Sequence, residues 1–200
     1  MPKTVDFIFD FASPNAYLAD KVLRDIATRT EAAIHYIPCL LGGIFKATGN
    51  QAPMVAFAPV KGKMAYEMLE TRRFIARHNL SAFKMNAHFP VNTLIMMRGA
   101  IAAQQDGRLG AYIDAGLAMM WEQNLKMDDE AVYVAAMNDA GFDGVDLLAR
   151  TQDPAVKAAL AANSEAAVAR GAFGIPTFYV GDEMFFGKER LGPLEEMLTQ

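Results

Sequence analysis

Hydrophobic and polar positions alternate at the start of the chain. Val5-Asp6-Phe7-Ile8-Phe9 is rich in β-formers and reads as a strand. Ser13-Pro14 follows four residues later. Serine as N-cap with proline at the first helical position starts a helix, because the proline lacks an N–H that would be unsatisfied there anyway. The pattern carries that helix to about Arg29, with Ala16, Leu23, Ile26 and Ala27 on its apolar side. Ala33-Ile34-His35-Tyr36-Ile37 is a second strand, stopped by Pro38. A β-α-β unit of this length predicts a parallel pair with a right-handed crossover.

Residues 39–60 read as irregular, because Gly42-Gly43, Gly49, Pro53 and Pro59 interrupt any long element. A loop of that length is expected to be functional or an insertion boundary. Helical periodicity dominates 61–170. It predicts helices over Lys61–His78, from an Asn92 cap to Gln105, over 109–123, 128–140 and 144–150, and from Asp153-Pro154 to Gly171. The tail changes character. Thr177–Val180, the turn Gly181-Asp182 and Glu183–Phe186 form a hairpin signature, and a last helix spans about Leu191–Leu198. A two-stranded hairpin is marginal alone, so it must join the first two strands across the helical block. The predicted fold is α/β. One discontinuous domain comprises 1–60 and 171–200, and an inserted helical domain comprises 61–170.

Composition narrows the chemistry. The chain has 200 residues, 52% hydrophobic and 21% charged, with a net charge of −4. That balance predicts a globular protein and gives no footprint for nucleic acid or an anionic membrane. No apolar run reaches the length of a membrane span, and Asp6 and Asp10 interrupt the apolar start that a signal peptide needs. The expected location is the cytoplasm. Cys39 is the single cysteine, so an internal disulfide and a cysteine zinc cluster are both excluded. Cys39 reads as a small buried residue rather than a nucleophile. No metal site is expected.

Ser13 stands where a strand hands over to a helix N-terminus, a place whose free N–H groups and dipole favour negative charge. On its own it is equally well a plain cap. No Gly-x-Ser-x-Gly surrounds it. His35, His78 and His88 show no nucleophile–base spacing, although a triad assembled in space stays open. Pro176, in Gly174-Ile175-Pro176-Thr177, enters a strand, where a trans bond is the ordinary state. Lys61, Lys63, Arg72, Arg73 and Arg77 read as a solvated helix face, and Trp121 carries no assignable role.

Together the segments Phe9–Ala19, Leu41–Asn50, Phe89–Thr93, Phe173–Phe178 and Phe186–Leu191 carry a resemblance. The chain resembles the 2-hydroxychromene-2-carboxylate isomerases and the related kappa-class glutathione transferases, with a thioredoxin-like fold interrupted by a helical insert. Where disulfide oxidoreductases of that fold carry Cys-x-x-Cys, this chain has Ser13 and Ala16. Dithiol chemistry is thereby absent at that position.

The resemblance implies glutathione as cofactor. Ser13 is expected to hydrogen-bond the glutathione sulfur and Ile175 to pair its backbone with the cysteinyl part. Phe186, Gly187, Lys188 and Glu189 are expected to hold the γ-glutamyl end. The family usually has Asn-Asp where Lys188-Glu189 stands, and an aromatic residue where Asn15 stands. An Ile175–Pro176 bond in the cis form, close to Ser13, is predicted from the thioredoxin-like order. Lys46, in the loop after the second strand, is expected to meet a substrate carboxylate, with Asn50, Asn92 and His88 near it. The implied activity is glutathione-dependent isomerisation of a small aromatic carboxylate in aromatic hydrocarbon catabolism, by a homodimer. A transferase that conjugates glutathione to electrophiles and a non-catalytic binding module are the alternatives.

Overall fold

The computed structural model describes residues 3–200. Its sheet has four strands in the order β2-β1-β3-β4. The first strand, β1 (Thr4–Phe9), leads through α1 (Pro14–Thr30) to β2 (Ala33–Pro38). The two strands pair in parallel, with Phe7 opposite Tyr36. A hairpin of β3 (Thr177–Val180) and β4 (Glu183–Phe186) completes the sheet, β3 running antiparallel to β1 with Phe178 opposite Phe7. Those two rings meet at 4.7 Å between centroids. The hairpin thus joins the N-terminal strands across the helical block, as the instability of a lone hairpin required.

Ser13 caps α1 as expected. Its backbone is extended (φ −96°, ψ 112°) and its Oγ accepts the Ala16 N–H at 3.1 Å. Leu18, Leu23 and Ile26 are buried along α1, and Tyr17 is buried on the side of the helical block, against Phe83 and Glu122. The closing helix α10 (Leu191–Thr199) packs on α1 through Leu191, Leu194 and Leu198. A 3-10 turn, Lys188–Arg190, connects β4 to α10.

Between β2 and β3 the chain is helical. It runs through α2 (Leu41–Thr48), α3 (Pro53–Ala56), α4 (Lys63–Arg77), α5 (Leu94–Gln105), α6 (Leu109–Trp121), α7 (Glu130–Asp139), α8 (Gly144–Arg150) and α9 (Pro154–Ala169). The predicted helices from residue 61 onward all form, most with bounds shifted by one or two residues. The stretch 39–60 departs from expectation, since it contains α2 and α3. The glycines of α2 did not break it because its N-terminus is capped from a distant strand, as described below. Lys46 consequently sits in the last turn of a helix, not in a loop.

Two contacts fix the helical block to the strand–helix junction. Trp121 donates its indole N–H to the Phe11 carbonyl at 3.0 Å, which supplies the role its sequence position did not reveal. Gly116 lets α6 lie directly on the Phe11 ring; a Cβ there would stand 2.6 Å from Phe11 Cε1. The segment after β1 is therefore packed from above by α6 and from below by the sheet core.

Candidate active site

The site forms where β1, α1 and the start of β3 converge. The Ile175–Pro176 bond is cis, as predicted, and Ser13 Oγ donates to the Ile175 carbonyl at 3.3 Å. Phe89–Pro90 is also cis, which the sequence reading did not anticipate. Ser13 is buried, with 4% of its surface exposed. The N–H of Asn15 in the first turn of α1 and that of Ile175 have no protein acceptor among the described residues. A hydroxyl, a helix N-terminus and a free N–H beside a cis-proline form an environment that stabilises a bound thiolate.

Glutathione fits the residues present. The free Ile175 N–H suits an extended peptide backbone. At the other end, Gly187 (φ 88°) donates its N–H to the Pro176 carbonyl at 3.0 Å and turns the chain so that Glu189 folds back over it. Lys188 is buried at 3% exposure. Its Nζ bonds the half-exposed Glu189 carboxylate and lies 5.6 Å from the centre of the Phe74 ring. A carboxylate with an ammonium beside it complements the ammonium and carboxylate of an amino-acid head group.

The remaining candidates divide. Asn50 joins the centre, because its Nδ2 donates to the Phe173 carbonyl at 2.7 Å, two residues before Ile175. Lys46 is exposed one turn earlier on α2 and has no salt bridge among the described residues. Asn92 is exposed and spends its Oδ1 on the Leu94 N–H. His88 is exposed in the loop before α5, where its backbone N–H bonds Asn86 Oδ1. Among the described residues neither is hydrogen-bonded to Ser13, Ile175 or Asn50. Two shallow surface hollows, of about 190 and 320 Å³, are not lined by Ser13.

Asp10 and Thr93 belong to the site although sequence reasoning gave them no role. Asp10 is 1% exposed. Its Oδ1 accepts the Ala12 N–H at 2.9 Å and the Thr93 hydroxyl at 2.6 Å, and its Oδ2 accepts the Leu41 N–H at 2.7 Å. Its backbone carbonyl accepts the Ser13 N–H at 3.1 Å. One carboxyl thereby ties the β1–α1 turn to the first N–H of α2 and to the cap position of α5. The visible signal was an acidic residue closing an apolar strand three residues before Ser13. Cys39 is fully buried beside this carboxyl, and burial with the neighbouring charge pushes its thiol up to about 12, consistent with an inert residue.

Comparison with known proteins places this geometry in a class. The model of the DSBA-like thioredoxin domain matches residues 4–199. A probable DsbA oxidoreductase from Streptomyces coelicolor superposes with a TM-score of 0.75 at 20% identity, covering 99% of this chain and 89% of that one, which shows the shared fold. A 2-hydroxychromene-2-carboxylate isomerase from Sphingobium xenophagum is 30% identical over 198 residues, 99% of each chain. A solved 2-hydroxychromene-2-carboxylate isomerase structure superposes with a TM-score of 0.82 at 27% identity, covering 98% of this chain and 94% of that one. Human glutathione S-transferase kappa 1 is 27% identical over 218 residues, covering all of this chain and 92% of its own. The chain belongs to the DSBA-like thioredoxin family and, within it, to the family of proteins similar to 2-hydroxychromene-2-carboxylate isomerase.

Asp10 generates a testable expectation. An amide in its place must turn an NH₂ toward a backbone N–H, so Asp10→Asn should lose about 1–3 kcal/mol of stability. Burial also holds the Asp10 carboxyl above its ordinary value of 3.8, despite three donors. The folded state then binds the proton more tightly than the unfolded chain does. This contribution to stability is complete below pH 3.8 and is lost as pH rises through the elevated folded value. Urea unfolding of wild type and Asp10→Asn should show a gap that narrows from acid toward neutral pH. A gap that widens over that range contradicts the assignment.

Proposed function

We propose that the protein is a glutathione-dependent isomerase of 2-hydroxychromene-2-carboxylate-type substrates, giving trans-o-hydroxybenzylidenepyruvate-type products in aromatic catabolism. The observation that carries this reading is Ser13 Oγ at the α1 N-terminus, 3.3 Å from the carbonyl of the cis Ile175–Pro176 bond. When bound, glutathione supplies a thiolate that adds reversibly to a conjugated carbon, so that a double bond becomes free to rotate. The protein's own groups do the rest. Ser13 donates a hydrogen bond to the sulfur and the α1 dipole favours its charge. Lowering a thiol pKa from about 8.5 to about 6.5 takes roughly 2.7 kcal/mol, which a helix terminus and one charge-assisted hydrogen bond together supply.

In this proposal Ile175 offers its N–H to the cysteinyl unit, and Phe186, Gly187, Lys188 and Glu189 take the γ-glutamyl end. Lys46 meets the substrate carboxylate from the α2 side of the cleft, with Asn50 beside it. Asn92 and His88 approach from the α5 side. The strands with residues 1–60 and 171–200 thus supply the thiol site, and the insert 61–170 supplies the opposite wall. The runner-up, conjugation of glutathione to electrophiles, rests on the kappa-class relatives and uses the same Ser13. We further propose a cytoplasmic homodimer. Met54, Val55, Val60, Tyr66 and Met68 are exposed along α3, α4 and the turn between them, and no described side chain of α4 is fully buried. An apolar face of that kind suits a second copy of the chain.

Two variants test the site as a pair. Ser13→Ala should lower turnover roughly ten- to a hundredfold, the effect of losing one charge-assisted hydrogen bond, and raise the pKa of bound glutathione. Lys46→Ala should raise the substrate KM while leaving glutathione affinity by calorimetry unchanged, with partial recovery in Lys46→Arg. Full activity in Ser13→Ala reduces Ser13 to a helix cap. Lost glutathione affinity in Lys46→Ala reverses its assignment. Light scattering should give twice the chain mass of 21.9 kDa; a monomer contradicts the dimer.

A further inference from the structure

Two aromatic side chains beside the Ser13 centre face solvent. Phe173 and Phe186 are 38% and 39% exposed. Their ring centroids are 4.5 Å apart and their planes tilt by 48°. Both are held by short, rigid connections. Phe186 lies over Gly174, where a Cβ would stand 2.9 Å from Cε2, so that only glycine admits the ring. The Phe173 carbonyl accepts from Asn50, and the next carbonyl but one, that of Ile175, accepts from Ser13. Gly187, next to Phe186, is tied to Pro176. The ring pair is thus anchored on both sides to the segment that carries the cis-proline.

An exposed pair of phenylalanines is unfavourable in water, and here it is fixed rather than buried. The rings touch, so a ligand cannot slide between them. A flat ring can lie across their outer faces, in the tilted and offset arrangements that aromatic groups prefer. We propose that Phe173 and the ring of Phe186, whose backbone is left to the γ-glutamyl end of glutathione, form a platform for the planar aromatic ring of an aromatic carboxylate, turning its conjugated side chain toward Ser13. This deepens the isomerase reading and rests on it for the direction in which the ligand points. Phe173 is then a specificity-determining residue, selecting flat unsaturated rings over saturated ones.

The probe is the fluorescent acid 1-hydroxy-2-naphthoate, titrated without turnover into wild type, Phe173→Ala, Phe173→Tyr and Phe186→Ala. Cyclohexanecarboxylate is titrated in parallel by calorimetry. Loss of one ring should weaken naphthoate binding about tenfold. Phe173→Tyr should retain it, glutathione affinity should be unchanged in Phe173→Ala, and wild type should favour naphthoate over the saturated acid. Unaltered naphthoate affinity in both alanine variants overturns the platform. So does wild type that binds neither acid or both equally, or a Phe173→Ala protein whose only change is its oligomeric mass. Naphthoate binding that needs the rings, in a protein that turns over no chromene carboxylate, would sink the isomerase reading and leave the platform standing.

Discussion

The carboxyl of Asp10 is the constraint on which the site depends. It is buried without a cation, and it compensates by accepting two backbone N–H groups and one hydroxyl from three separate elements. A buried polar group left unpaired would be costly, so the three elements can depart from this arrangement only together. The first fixes the turn that presents Ser13. The second starts α2, which carries Lys46 and leads to Asn50. The third occupies the cap residue of α5, and so sets the loop that holds Asn92. The turn that presents Ser13, the start of α2 and the start of α5 are registered through one side chain.

This arrangement bears on how a thioredoxin-type fold would host the proposed isomerisation. The thioredoxin geometry supplies a helix N-terminus facing a cis-proline. Whatever occupies the cap position decides the chemistry. With Ser13 and Ala16 in place of two thiols, and Cys39 buried and held protonated, the chain has no sulfur of its own to react. In the proposed reaction the nucleophile is brought in, and a hydroxyl at a positive helix end is suited to holding one as its anion.

Much of this was legible in the sequence, and the exceptions share a physical cause. Local rules found β1 to β4 and the long helices, because alternation, caps and hairpin turns act over a few residues. Ser13 and Pro176 were found by motif order. The helix α2 escaped, because Gly42-Gly43 looks like a breaker and the acceptor for its first N–H lies 31 residues away in sequence. Trp121 escaped because its partner, the Phe11 carbonyl, is 110 residues distant. Asp10 looked like an interruption of an apolar run, since nothing local shows three donors converging on it. Phe173 and Phe186 were visible as motif residues. Their mutual contact and exposure come only from the meeting of the cis-proline segment with the end of β4.

The central claim is that glutathione acts as a returning nucleophile held at Ser13. The most direct measurement is product formation from a chromene carboxylate with glutathione at well below one equivalent, followed together with the titre of free thiol. The account predicts complete conversion to the trans product with the thiol titre unchanged. Conversion that stops when one thiol has been consumed per product, or that runs at full rate with no thiol present, would contradict it.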